Sequence, residues 1–296
     1  MTSSACKLVR YDSNVQLVWK GEPRADAHLL AVEHHRHQFS LVSDDLWFVV
    51  KHMKAAGKPG AVLAVGDVLK LGRVSLRVKA LSGESHSAEQ TQDSSEEESD
   101  LPAETGTCRI CLSDEVAADN PLISPCECAG SVRLIHFQCL QKWIASRKVE
   151  RESENARTAS WKSLDCELCK APYPHALRVQ GKPLYELEAP QSPFLILESV
   201  DRSAGLHLVA VTGNRPLKVG RGHDADVRVT DISVSRVHAS IHLHEGQFVL
   251  RDNQSKFGTL VKARSPVLLK PQTSAVFQSG RTLIAVTATH TTFSSK

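Results

Sequence analysis

Long apolar runs are missing from this 296-residue chain: the longest, Leu46 to Val50 and Ala61 to Val65, reach five residues, against the roughly 20 that a membrane-spanning helix requires. No transmembrane segment is expected. The opening stretch MTSSACKLVRYDSN holds no continuous apolar core, so no secretory signal is expected either. A chain that stays intracellular, in cytoplasm or nucleus, keeps its thiols reduced. Aromatic residues are scarce at 5%, and no basic face interleaved with aromatics stands out, so nucleic acid is not an expected partner. A strong overall charge is lacking too, with 36 Lys and Arg against 33 Asp and Glu. At 41% hydrophobic residues the composition is otherwise that of a globular protein, and the length accommodates two domains, or three if one is small.

The charge balance conceals an asymmetry. Residues 82–106 carry eight of the acidic residues and no Lys or Arg, with almost nothing apolar. Such a segment cannot bury enough surface to offset the entropy of ordering, and it reads as an acidic disordered linker. It includes Thr91 in the run TQDSSEEE, a threonine followed by acidic residues, which marks it as a candidate phosphoacceptor. On either side, short alternating stretches bounded by Gly, Pro and Asp predict half-buried strands. Examples are Val15 to Trp19, His37 to Ser43 and Val74 to Val78 before the linker, and Leu206 to Val211, Val237 to Leu243 and Leu283 to Val286 near the carboxyl end. The two ends also resemble each other. LWFVVK at Leu46 parallels GQFVLR at Gly246, and LKLGRVSLRV at Leu69 parallels VFQSGRTLIAV at Val276, through either a distant duplication or two unrelated β-domains that share strand residues.

Between the ends lies the run Cys108-x2-Cys111-x14-Cys126-x-Cys128-x7-His136-x2-Cys139-x26-Cys166-x2-Cys169. Seven of the eight cysteines are consumed here, leaving only Cys6. Structural zinc takes four tetrahedral sulfur or imidazole ligands, so eight ligands make two closed sites and leave no open position for a catalytic water. Leu140, Trp143 and Ile144 fall at helical spacing, predicting a helix from Cys139 to about Ser153 whose length fills the gap before Cys166.

The ligand order, the one-residue gap in PCECAGS, the seven-residue gap before His136 and the following CLQKWI resemble the RING-CH (RING-variant) domain of ubiquitin ligases. The PHD finger of chromatin readers shares the ligand order but normally has two residues between its third and fourth ligands. The resemblance implies a cross-braced module with two structural Zn2+, one held by Cys108, Cys111, His136 and Cys139, the other by Cys126, Cys128, Cys166 and Cys169. It further implies a surface for a ubiquitin-charged conjugating enzyme at Ile110, Trp143 and Pro172, with Lys170 as a hydrogen-bond donor. No covalent catalytic residue is implied, since such ligases act by proximity and orientation.

VGR at Val219, SRVHAS at Ser235 and SKFGT at Ser255 resemble the motifs of a forkhead-associated (FHA) domain, a β-sandwich that binds phosphothreonine. The resemblance implies that Arg221, Ser235 and Lys256 contact the phosphopeptide while Gly220, His238, Gly258 and Thr259 support the pocket. Phe257 stands where the family has an asparagine. The amino-terminal AVGDVLKLGRVSLRV at Ala64 is similar to the family's closing strands, which implies a degenerate FHA-like sandwich without a phosphate pocket. The expected chain is therefore multidomain and mainly β, with a β-rich, degenerate FHA-like region over 1–81, the linker over 82–106, the RING-CH module with one helix over 107–174, a second linker over 175–192, the FHA sandwich over 193–291 and a tail over 292–296. The function expected of this combination is a RING-type ubiquitin-protein ligase for phosphorylated protein substrates. A non-catalytic zinc-binding phosphopeptide adaptor is the alternative.

Overall fold

The structure is a computed structural model and describes residues 4–11, 14–19, 28–35, 38–53, 59–83, 104–174, 177–179, 182–184, 193–201, 204–270 and 273–287. Most of the acidic run, Thr91 included, and the 292–296 tail lie outside them.

In chain order the amino-terminal part forms β1 (Ser4–Tyr11), β2 (Asn14–Trp19), β3 (His28–His35), β4 (Gln38–Val42), β5 (Trp47–Val49), the one-turn helix α1 (Val50–Met53), β6 (Ala61–Val62), β7 (Val68–Leu71) and β8 (Val74–Ser82). The middle forms β9 (Leu122–Ile123), a 3-10 turn (Gly130–Arg133), β10 (Ile135–His136), α2 (Phe137–Ser146), β11 (Val149–Glu152), β12 (Ala156–Trp161), β13 (Arg178–Val179), β14 (Lys182–Pro183), β15 (Phe194–Ser199) and β16 (Leu206–Val211). The last part forms β17 (Leu217–Gly220), β18 (Val227–Arg228), β19 (Ala239–His244), β20 (Gln247–Asp252), β21 (Thr259–Lys262), β22 (Val267–Leu269), β23 (Ser274–Ser279) and β24 (Thr282–Thr287). The chain is thus mainly β with few helices.

Two compact units result, one built from Met1–Val78 with Arg215–Lys296, the other from Lys79–Asn214. In the first, strands from the two sequence-distant segments alternate. β21 lies between β7 and β5, with Val261 opposite Leu69 on one side and Phe48 on the other. β6 extends β20, and β22 extends β4. The two hairpins that look alike in sequence also pair crosswise: β7, which leads into β8, joins β21 of the later segment, while β23, which leads into β24, joins β5 of the earlier one. Each hairpin turns on two residues, Gly72-Arg73 and Gly280-Arg281, and both glycines have positive φ, 61° and 55°, the backbone that tight hairpin turns demand. The core is shared in the same way. Leu29, Leu30, Leu41 and Leu46 pack with Ala263, Phe277 and Ile284, and the rings of Phe48 and Phe277 sit 4.8 Å apart. Asp67, 9% exposed, accepts hydrogen bonds from the Ala64 N–H and from Arg264 at 2.8 Å, another tie between the segments.

The second unit joins the cysteine-rich module to an antiparallel sheet in the order β11-β12-β16-β15. Leu122, Ile123, Ile135, Phe137, Leu140 and Ile144 form one core with Trp161 of β12, Phe194 and Ile196 of β15, and Leu206 of β16. The helix is shorter than its sequence predicts. It stops at Ser146, where the Arg147 N–H bonds Ile144 O, and the next residues turn into the β11–β12 hairpin. All four β11 side chains are exposed, so the helix-forming run RKVERE follows its partner. β12 pairs in register with β16 from Ala156 opposite Val211 to Trp161 opposite Leu206, and this hydrogen bonding outweighs local propensity. The gap before Cys166 is therefore filled by a hairpin, not by helix.

Candidate functional site

Cys108, Cys111, His136 and Cys139 bring their ligand atoms within 4.8 Å of one another, and Cys126, Cys128, Cys166 and Cys169 do the same. The grouping is interleaved along the chain, first ligand pair with third and second with fourth. The two Cys-x2-Cys turns are built alike. Leu112 N–H donates to Cys108 O and Lys170 N–H to Cys166 O, and both Leu112 and Lys170 take left-handed backbone, φ 60° and 63°. His136 faces Cys111 Sγ with Nδ1 at 3.2 Å.

The donor set fits zinc. Cys128 and Cys166 sulfurs are 3.7 Å apart, close to the roughly 3.8 Å edge of a tetrahedron with Zn–S near 2.3 Å. Burial tends to raise the Cys108 thiol, but backbone N–H groups of Cys111, His136 and Ile110 bring it down to about 6. Cys166 likewise falls to about 5, where N–H groups of Cys169 and Leu168 and the Arg109 guanidinium overcome burial. Burial and neighbouring sulfurs push Cys126 and Cys139 up to about 12, a repulsion that a divalent cation relieves. Two closed centres, each with four ligands and able to hold one structural zinc, are what this geometry provides.

Arg109 is a component that the cysteine spacing does not reveal. It sits in the first Cys-x2-Cys turn, yet Nη1 reaches Cys128 Sγ and Nη2 reaches Cys166 Sγ, both at 3.3 Å, while Nη1 also donates to Val132 O at 2.6 Å. It thus ties the first ligand turn to the second centre and sets a positive charge beside three of its sulfurs, those of Cys126, Cys128 and Cys166. Its only sequence signal is a basic residue between two ligands.

Ile110 and Pro172 are exposed, as are Leu112 and Leu168, which flank ligand positions and are 77% and 60% exposed. Trp143 is half-buried: its ring meets Tyr173 edge-on at 5.7 Å, with the Arg147 guanidinium 5.0 Å from the ring centre. Lys170 donates from Nζ to Glu167 O at 2.8 Å.

In the first unit, the loops after β17, after β18 and after β20 converge. Arg221 N–H donates to Ser235 O, and a Cβ on Gly220 would fall 2.2 Å from Arg236 O, so only glycine permits this approach. Ser235 Oγ accepts the Lys256 N–H at 3.2 Å. Among the described residues no acceptor takes the Ser235 hydroxyl proton, which can then be donated to a ligand. Buried His238 accepts the Ser235 N–H on Nδ1 at 3.1 Å and donates from Nε2 to Gly258 O at 3.1 Å, bracing two loops as a neutral ring. Burial holds it below the ordinary histidine value. Thr259 Oγ1 donates to Asp252 at 2.6 Å, and Gly258 has φ 79°. Phe257 is 58% exposed with the Lys256 ammonium 5.5 Å from its ring. The early segment contributes a brace that the motifs do not announce. Arg73 N–H donates to Ser233 Oγ at 2.9 Å, its guanidinium lies 3.5 Å from Asp231, and a Cβ on Gly72 would strike Ser233.

Residues 108–169 match the RING-variant domain family and residues 217–283 the FHA domain family, so the chain carries a RING-variant domain with an FHA domain carboxyl-terminal to it. Among curated proteins, it is 34% identical over 134 residues to the E3 ubiquitin-protein ligase MARCHF8 of Homo sapiens, covering 45% of this chain and 40% of that protein. It is 32% identical over 126 residues to the ERAD-associated E3 ubiquitin-protein ligase DOA10 of Saccharomyces cerevisiae, covering 42% of this chain and 8% of that protein. A third relative, E3 ubiquitin-protein ligase MARCHF7 of Pongo abelii, is 39% identical over 79 residues, 27% of this chain and 10% of its own length. The chain thus spans less than half the length of these relatives. No solved structure matches it. Among the described residues no helix is long and apolar enough to cross a membrane.

Proposed function

We propose that this chain is a ubiquitin-protein ligase that recruits a ubiquitin-charged conjugating enzyme through its RING-variant domain and phosphothreonine-containing substrates through its FHA domain. The reading rests on two interleaved four-ligand centres whose turns carry exposed aliphatic residues, together with relatives named as ubiquitin ligases. Each centre has all four ligands, so its zinc is structural. Transfer then depends on holding the thioester and the acceptor lysine in a reactive geometry. Ile110, Trp143 and Pro172, joined by the exposed Leu112 and Leu168, are the apolar contacts we assign to the conjugating enzyme, with the Trp143 ring set edge-on to Tyr173. Lys170 donates from the second ligand turn. Arg221 grips the phosphoryl group through two parallel hydrogen bonds, and Ser235 adds a third.

Purified components test this reading. Ile110→Ala is expected to lower autoubiquitination about tenfold or more, the loss of one apolar anchor, with two zinc ions still bound per chain. Absence of transfer by the parent protein, with zinc and phosphopeptide binding intact, would leave a non-catalytic adaptor.

A further inference from the structure

Beside Ser235 the loops after β17 and β18 enclose an open groove of about 660 Å³, and three arginines line it: Arg221, Arg228 and Arg236. Guanidinium groups gathered in one groove repel one another unless carboxylates intervene. Two carboxylates line the groove, but both are engaged. Asp224 accepts the Lys218 ammonium at 3.0 Å. Asp231 takes the Ser233 hydroxyl at 2.6 Å and the Ser233 N–H at 2.7 Å, with Arg73 at 3.5 Å. Among the described residues no side-chain hydrogen bond or ion pair engages any of the three arginines, and Arg228 Nε is buried without a partner. His223 also lines the groove, and Ile232 presents an aliphatic surface 84% exposed.

One phosphoryl group held by Arg221 and Ser235 leaves Arg228 and Arg236 unmatched. We infer that the groove receives a second anionic side chain, so that the preferred ligand is a phosphothreonine peptide carrying a phosphoserine or a cluster of Asp and Glu close to the phosphothreonine. The inference rests on the phosphopeptide reading above and narrows it to a ligand class. A carboxylate and a phosphoryl group share the chemistry that a guanidinium recognises, bidentate acceptance of two N–H donors. Ile232 contributes by packing against an aliphatic stem in the same peptide. The chain itself contains such a sequence around Thr91, followed by Asp93, Ser94, Ser95 and Glu96 to Glu98, which supplies a natural probe.

The test uses the full chain, unphosphorylated, and four peptides spanning residues 88–100. One is phosphorylated at Thr91; one is phosphorylated there with Asp and Glu replaced by Asn and Gln; one carries phosphates at both Thr91 and Ser94; one is unphosphorylated. Calorimetry is expected to rank the acidic phosphopeptide about tenfold above its neutralised counterpart, the gain of roughly one charge-assisted pairing. The doubly phosphorylated peptide is expected to equal or exceed the acidic one, and their difference separates phosphate from carboxylate as the source. Arg228→Gln should shrink the preference to within about threefold, while Arg228→Lys, which keeps the charge, should retain part of it. Equal affinity of the parent for the acidic and neutralised phosphopeptides overturns the inference and leaves phosphothreonine binding standing. Failure of every phosphorylated peptide to exceed the unphosphorylated one defeats the phosphopeptide reading and the inference with it.

Discussion

Arg109 shows how much one side chain can do outside the ligand set. It hydrogen-bonds Cys128 and Cys166 from a turn that supplies ligands to the other centre. Arg109→Met is expected to weaken zinc at the Cys126, Cys128, Cys166 and Cys169 centre about 10- to 100-fold, the usual effect of removing an outer hydrogen-bond partner. Stepwise competition with a chromophoric chelator should then show two release events where the parent shows a narrower spread; a single unchanged event would remove the role. A second residue-scale expectation concerns pH. Buried His207 and His238 have folded values below the ordinary 6.5, chiefly because burial disfavours the charged ring. Unfolded chains bind the proton first, so stability is whole above about pH 6.5 and falls as pH drops toward the folded values. Urea midpoints measured at pH 7.5 and 5.5 should decrease in that order.

At the scale of elements, the ligand grouping was legible in the sequence because ligand order and gap lengths match a known zinc module. The strands were legible because Val74, Leu76 and Val78 alternate with exposed or half-buried neighbours. What the pattern does not carry is partner choice. A period of two tells which face is buried, but Val261 reads the same whether it faces Leu69, Phe48 or neither. The end of α2 was hidden for a related reason, since RKVERE suits a helix and only its pairing with β12 draws it into a strand. The β7–β8 turn offers the sharpest test of the cross-segment brace. Gly72→Ala places a methyl 2.4 Å from Ser233 Oγ and 2.7 Å from Ser233 O on a left-handed backbone. A loss of about 2 kcal/mol or more is expected, read as a lower denaturation midpoint together with weaker phosphopeptide binding.

On the scale of the whole molecule, the first unit is one body made from two stretches of chain. A protease site placed within residues 84–103 is expected to yield two fragments that stay together through gel filtration, because β5, β6 and β7 have their neighbours in the later fragment. Fragments that part without denaturant would contradict the interleaving. Chelation of zinc should reach past the cysteine module, since Trp161, Phe194 and Leu206 share its core; loss of near-ultraviolet tryptophan signal would report it. The interleaving also has a consequence during synthesis. β5 emerges from the ribosome long before β21 exists to pair with it. At about 5–20 residues per second the wait is on the order of 10 to 40 s. During that interval Leu46, Trp47 and Val49, buried in the finished protein, have no partner strand to cover them. The nascent amino-terminal segment is therefore expected to depend on chaperones that hold exposed strands, and slowing translation after residue 82 should lengthen that dependence, read as longer chaperone association of stalled chains.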